Sequence, residues 1–530
     1  MVFEMKSVMQ HMFQNAPDAN VSRSVFDRSH GYKSAFDAGR LIPFLCDEIL
    51  PGDSFNVDAN IMLRLGTPLY PIMDNMFADV HYFFVPNRQI WDNWRKFLGE
   101  QANPTDSIDY TIPEIATPAG GWIEQSLADY LGCPTKVAYG NASALPFRAY
   151  WHVYTEWYRD QNILNTQSPG TGNGPDAESW GNGFPYRRSK RYDYFTQALP
   201  WPQKGDVTLD LGADIPVLPQ STEHTTGSAQ EMLVRQNDGS VPASARAVAT
   251  GAASQLYQST TGASTSGNPL YPTNLYAEIS SATGTVNALR QAVQIQRLLE
   301  RDARGGTRMA EIIKSHFGVT FMDLTYRPEF LGGGTIPINI NPVASNYDDG
   351  TNNTVGDLGA VGTGVGSAGF TKSFTEHGYL LGIISVRADL TYQQGVDKHF
   401  LRATRYDYYW PALAMLGEQG IENREIYVQG GAPDVEIFGY VPRYDEYRTK
   451  LSKVTSTFRS NAGAPLDAWH LSQEFSALPT LNQTFIEEDP PIDRAIKVPA
   501  EPHFIMDSYI KMRCARAMPT YGVPGMMDHL

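Results

Sequence analysis

The sequence predicts a mainly β chain whose antiparallel strands close into one Greek-key sandwich of the jelly-roll type. Three observations carry this prediction. Segments with period-two alternation occur near the start of the chain and again near its end. Long excursions rich in glycine, serine and proline separate them. Neither end holds enough strand to close a sheet alone, so strands distant in sequence must pair. The size fits: 530 residues with 12% aromatic side chains can bury a large core. The 46 glycines follow no triplet repeat, and only 19% of residues are charged, so collagen and wholesale disorder are both excluded. No period of about 20–50 residues recurs, which excludes a solenoid or a propeller.

Taken in order, residues 41–46 form an apolar block, and Pro51-Gly52-Asp53 is a turn signal. Residues 55–61 then alternate apolar and polar, as a half-buried strand should. Residues 80–85 are a further block, closed by Pro86. Asn87 is placed to cap a helix whose apolar face is Ile90, Trp91, Trp94, Phe97 and Leu98, ending at Gly99. A second helix follows Pro146, with Phe147, Tyr150, Trp151, Tyr154 and Tyr158 on one stripe. A stacking platform would use such a stripe, but buried packing is the commoner use.

From 239 to 268 the chain is mostly Ser, Thr, Ala and Gly, with Arg246 as the one basic residue and no acid. Such a segment cannot build a core, and it reads as an exposed insertion. Leu289, Ala292, Val293, Ile295 and Leu299 then face one side of a helix that stops near Gly305-Gly306, and a shorter helix reaches Gly318. Residues 346–370 read as a polar, Gly-rich flexible loop. Strands resume at 378–390, 435–441 and 504–512. The division is therefore an N-terminal arm, 1–36, and one sandwich domain, 37–530. Within the domain lie a helical and loop insertion at 91–204, a Ser/Thr/Gly-rich insertion at 205–285 and a helix pair at 286–318.

Chemistry is sparse. Gly364-Val365-Gly366-Ser367-Ala368-Gly369 matches GxGxxG literally, but no strand precedes it and no helix opens after it, so a dinucleotide site is rejected. Glu487-Glu488-Asp489 precedes Pro490-Pro491 and reads as a solvated loop. The eleven histidines show no metal spacing, and neither a nucleophile elbow nor a P-loop is present. Cys46, Cys133 and Cys514 lie far apart, and the expectation is buried, reduced thiols. The first twenty residues hold no apolar stretch of signal-peptide length, and no run approaches the roughly 18 residues of a membrane span. The chain reads as soluble and made in the cytoplasm, with no catalytic, cofactor or metal site.

With 42 Lys+Arg against 57 Asp+Glu the formal charge is −15, which excludes a simple basic nucleic-acid binder and leaves only local patches. One is Arg187, Arg188, Lys190 and Arg191 followed by Tyr192. The other runs from Arg443 to Lys453 with Tyr444 and Tyr447. Cations beside flat rings suit phosphates and splayed bases of a single strand. In the second patch Asp445 and Glu446 sit between the arginines, and a salt-bridged structural loop is the better reading.

Several blocks together resemble the major capsid protein of microviruses, the small circular single-stranded DNA phages, and in particular the gokushovirus branch. They include Phe26-Asp27-Arg28-Ser29-His30, Pro86-Asn87-Arg88 with Trp91, and Glu156-Trp157-Tyr158-Arg159-Asp160-Gln161-Asn162. Leu199-Pro200-Trp201-Pro202-Gln203-Lys204-Gly205, Glu300-Arg301-Asp302-Ala303-Arg304-Gly305-Gly306, Arg327-Pro328-Glu329-Phe330-Leu331-Gly332-Gly333 and Gly439-Tyr440-Val441-Pro442-Arg443-Tyr444 extend the likeness past residue 440. The resemblance implies a single eight-stranded jelly roll with long loops, self-assembling through fivefold, threefold and twofold contacts into a T=1 icosahedral shell around a circular single-stranded DNA genome. It implies a virion protein made in the host bacterial cytoplasm, with a small basic DNA-associated protein, other virion proteins and a host surface receptor as partners. Genome contact then falls to Arg187, Arg188, Lys190, Arg191 and Tyr192. Host attachment falls to a threefold protrusion from the 205–285 insertion, marked by Gly239, Arg246, Tyr257 and Asn268. The alternative is a β-sandwich that binds or hydrolyses glycans, using Glu487 and Glu488.

Overall fold

Alternation in the sequence becomes alternation in burial along a twelve-residue strand, Ser54–Leu65, in which every second side chain points into the core. The computed structural model describes residues 22–205, 207, 286–320, 326–346 and 355–521, and six three-residue strands between 217 and 277. The main framework is built from β1 (Ser24–Asp27), β2 (His30–Phe36), β3 (Ile42–Ile49), β4 (Ser54–Leu65), β5 (Met76–Pro86), β6 (Glu329–Ala344), β7 (Leu358–Ser373), β8 (Gly378–Ala388) and β9 (Phe504–Arg516).

These nine strands form one curled antiparallel sheet in the order β1-β9-β4-β7-β6-β5-β8-β3, with β2 also on β9. The expected pairing of early with late strands is what closes it: β4 lies between β9 and β7, and β5 between β6 and β8. β6 changes partner midway. Its first part, to Ile338, pairs with β5, and from Asn339 onward it pairs with β7. The count is nine rather than eight because β1 and β2 follow each other along the same edge of β9.

Both halves of the curl turn their inner faces to one core. Phe84 lies 4.7 Å from Phe374, and Tyr82 lies 5.1 Å from Phe370, ring centre to ring centre. The Tyr82 hydroxyl donates to the Ala368 carbonyl at 2.9 Å. β8 is buried along its whole length. Its outer face and that of β5 are covered by a second apolar cluster, drawn largely from residues 90–154. This explains why Tyr379–Ile384 runs apolar without alternation, apart from Gly382.

In that cluster, helix α1 (Leu145–Val153) continues as a π-turn, Tyr154–Tyr158. Phe147, Tyr150, Trp151 and Tyr154 are buried, so the aromatic stripe is core. The helix expected from Asn87 to Gly99 is instead two four-residue turns broken at Trp91. Pro86, not Asn87, holds the cap position and makes no side-chain bond.

The 346–370 loop expectation is corrected from Leu358 onward, because Leu358–Ser373 is β7. There the glycines are a packing device. A Cβ at Gly366 would stand 2.8 Å from Ile336 Cγ1, and one at Gly369 would stand 2.3 Å from the Val57 carbonyl oxygen. The GxGxxG match therefore lies inside a strand, and its rejection as a nucleotide loop stands on that placement.

The chain divides into two compact units, 1–202 with 305–530, and 203–304. In the second, the described strands pair as nested antiparallel ladders: Val217–Pro219 with Leu275–Ala277, Val234–Gln236 with Leu270–Pro272, and Val248–Thr250 with Leu256–Gln258. Helix α2 (Val286–Gly305) follows, and α3 (Met309–Phe317) belongs to the first unit. No helix is long and apolar enough to cross a membrane among the described residues.

Candidate nucleic-acid interface

Residues 186–190 run as an extended segment stitched between two others. On one side the Leu41 amide donates to Tyr186 O, and the Arg188 amide donates to Gly39 O at 2.8 Å. On the other, the Lys190 amide donates to Ile486 O, and the Glu488 amide donates to Arg188 O, each at 2.8 Å. The crossing is tight at Gly39, whose φ is +78°, and a Cβ there would fall 1.8 Å from the Glu488 carbonyl oxygen. Only glycine fits both the angle and the gap.

The ladder gives the four cations between 187 and 191 different fates. Arg187 reaches Asp489 Oδ1 and the Ala38 and Glu488 carbonyls. Arg188 Nη1 donates to Asp79 Oδ2 at 2.7 Å, and Arg387 Nε donates to the same oxygen at 2.7 Å. Thr335 supplies the other Asp79 oxygen with a hydroxyl at 2.7 Å. Burial pushes the Asp79 carboxyl up, but the Arg387 and Thr335 hydrogen bonds and the Arg188 charge outweigh it and bring it down to about 2.

Lys190 is only 7% exposed. Its Nζ donates to Phe485 O at 2.7 Å and stands 4.8 Å from the Phe485 ring centre. Burial lowers its pKa, and the Glu488, Asp193 and Asp489 charges act the other way. Arg191 is exposed and makes no ion pair among the described residues, and Tyr192 is 76% exposed. The stretch 187–192 thus holds all five predicted residues, with three cations tied into the fold and Arg191 and Tyr192 at the surface.

Glu488 corrects the solvated-loop reading of 487–489, since it is 2% exposed. Burial raises its pKa, and Lys190, the Ala388 amide, Arg188 and Arg387 oppose the rise. Glu487 instead lines a cleft of about 590 Å³ with Arg40, Trp151, Trp180, Phe184 and Tyr186. Glu488 does not line that cleft, so the two carboxylates do not flank a common space as a glycosidase pair must.

The second basic cluster is largely a braced loop. Arg448 pairs with Asp445, Arg402 with Glu446, and Lys450 and Lys453 with Asp397. Arg443 lies over the Tyr444 ring. Burial pushes the Cys46 thiol up to about 12, which suits a packed rather than a reactive sulfur. Gly239, Arg246 and Asn268 lie outside the described residues. Tyr257 sits in Leu256–Gln258, opposite Ala249. Among the described residues no group of three His, Cys, Asp or Glu side chains is placed to hold a metal ion.

Sequence reasoning missed the Asp79–Arg387 pairing, because no local signal links positions 308 residues apart. It also missed the aromatic stretch around Tyr406-Asp407-Tyr408-Tyr409-Trp410, whose density of rings was visible in the sequence.

A family model described as capsid protein (F protein) matches residues 14–526. Capsid protein VP1 of Bdellovibrio phage phiMH2K is 44% identical over 533 residues, covering 97% of each chain. Capsid protein VP1 of Chlamydia phage 1 is 40% identical over 592 residues and 99% of each chain. Capsid protein VP1 of Spiroplasma virus 4 is 33% identical over 549 residues and 97% of each chain.

Proposed function

The chain belongs to the F-protein family of phage capsid proteins, and from that premise we propose that it builds a T=1 shell around a circular single-stranded DNA genome. It is a structural component of the virion, not an enzyme, and the glycan-active alternative has no support. The observation that carries the reading is similarity to capsid proteins over 97–99% of the chain. A curled sheet with long ordered loops suits tiling, because loops supply contact area without disturbing the core.

Genome contact is assigned to the 187–192 segment. Arg191 and Tyr192 supply a cation and a ring at the surface, and Arg187, Arg188 and Lys190 hold the backbone beneath them. A net charge of −15 leaves most genome neutralisation to other cations, which is the role of a small basic DNA-associated protein in the particle. The insertion carrying Gly239, Arg246, Tyr257 and Asn268 is assigned to a threefold protrusion that meets a host surface receptor. Synthesis is assigned to the host bacterial cytoplasm.

The test is expression with the other virion proteins, followed by sedimentation and particle reconstruction. Closed T=1 shells are the expected product, and a chain that stays monomeric with its partners present defeats the reading. Deleting 239–268 should leave shells intact while abolishing attachment to host cells.

A further inference from the structure

Residues 398–416 form a strap of three short 3-10 turns, Lys398–Phe400, Arg405–Asp407 and Pro411–Leu413. It is fixed by its own bonds. The Asp407 carboxylate accepts the Ala403 and Thr404 amides at 2.9 and 2.6 Å, and Trp410 Nε1 donates to Arg405 O at 2.8 Å. Tyr409 packs on Tyr444, and Arg402 lies 4.4 Å from the Tyr447 ring centre. The strap nevertheless leaves its large side chains in solvent. Met415 is 95% exposed, and Phe400, Tyr406, Tyr408, Trp410 and Leu416 are at least half exposed.

We propose that this strap is a contact surface for a second copy of the chain, an inference that rests on the capsid reading and adds to it one of the faces through which the shell closes. Composition favours a protein partner: between 400 and 416 there are six large aromatic or sulfur side chains, two arginines, no lysine and one acid. Tyr, Trp, Met and Arg are the residues enriched in interface centres. The charge is complementary as well. Arg405 and Arg443 have no carboxylate partner among the described residues, and a chain that carries −15 overall has carboxylates in excess to offer them from a second copy. Half-exposed rings in this number offer on the order of 800 Å², what one partner contributes to a standard interface. Because the strap is already rigid, little ordering entropy opposes docking. A single strand of nucleic acid fits less well, since Met415 and Leu416 offer no flat face and Arg402 is already paired with Glu446.

The test is peroxide oxidation of Met415, followed by mass spectrometry, in unassembled chains, empty shells and DNA-filled particles. Met415 should oxidise on the order of tenfold more slowly in both kinds of shell than in the free chain. The double variant Met415→Asp with Leu416→Asp should raise the concentration needed for shell formation by on the order of a hundredfold, with the melting of the free chain unchanged. Equal oxidation in free chains and shells overturns the proposal, as does protection confined to DNA-filled particles, which would assign the strap to the genome. A wild-type chain that forms no shells removes the capsid reading itself, whereas shells with a reactive Met415 remove this contact alone.

Discussion

Arg188 and Asp79 lie 109 positions apart and meet at 2.7 Å, on the same carboxylate oxygen that Arg387 uses. One carboxylate therefore ties the 186–190 segment to two neighbouring strands, since Asp79 lies on β5 opposite Ser385 of β8.

Replacing Asp79→Asn leaves Arg387 buried without its charge partner. Removing one member of a buried pair costs about 3–5 kcal/mol, and a chemical denaturation midpoint of the free chain should show it. An unchanged midpoint would mean that the cluster is solvated enough to be expendable.

The same residue sets an acid limit. Its arginine and threonine partners hold its carboxyl down to about 2, below the ordinary 3.8, so its stabilisation is full above 3.8 and is lost as pH falls towards 2. Denaturation of the wild-type chain should therefore carry an acid slope of about one proton in that window, and Asp79→Asn should lack it. Equal slopes in the two chains would assign the acid sensitivity to other carboxylates.

The hydroxyl of Tyr82 crosses the core to the Ala368 carbonyl. Tyr82→Phe keeps the ring against Phe370 and removes the hydroxyl bond to that carbonyl, for an expected loss of about 0.5–1.5 kcal/mol. Tyr82→Ala removes the ring as well and should cost about 3–5 kcal/mol. Equal losses for the two variants would show that the hydrogen bond, not the packing, carries the contact.

In β7 the prediction concerns a residue that looks dispensable in the sequence. Gly369→Ala places a methyl 2.3 Å from the Val57 carbonyl oxygen, and the register between β4 and β7 has to open. Overpacking of this kind costs about 1–3 kcal/mol, read as a lower melting temperature. Gly356→Ala is no control, because its φ is +97°. Gly359→Ala is, since its Cβ would meet only the Val343 carbonyl oxygen at 3.7 Å.

Glycine also explains where sequence reading stopped. β4 and β9 were legible because one face is buried and the other is not, and 55–61 and 504–512 alternate accordingly. β8 was legible through the β-branched residues Ile383, Ile384 and Val386. β7 was hidden because close approach to β4 and β6 requires small residues, and a strand written in Gly, Ala and Thr reads as a loop. β6 was hidden by Pro337 and Pro342 and by Gly332 to Gly334. At the candidate interface the basic run was visible, but its use was not. Whether a cation faces a phosphate or a buried carboxylate depends on Asp79, Phe485 and Asp489, and nothing near 187–191 in the sequence announces them.

Four of the five residues proposed for genome contact fall into two experiments. Arg188→Gln and Lys190→Gln should lower the stability of the free chain, because each removes a bond to Asp79 or to Phe485 O, and any fall in DNA content would follow from misassembly. Arg191→Gln with Tyr192→Ser touches neither bond. Melting and shell yield should stay at wild-type values while the DNA retained per particle falls. Loss of one phosphate contact per site should flatten the log–log salt dependence of retention by about 0.7, and loss of one stacked base should weaken each site by about 1–3 kcal/mol. If the double variant packages DNA with wild-type content and salt sensitivity, the 187–192 segment is architecture, and genome contact lies on another face of the chain.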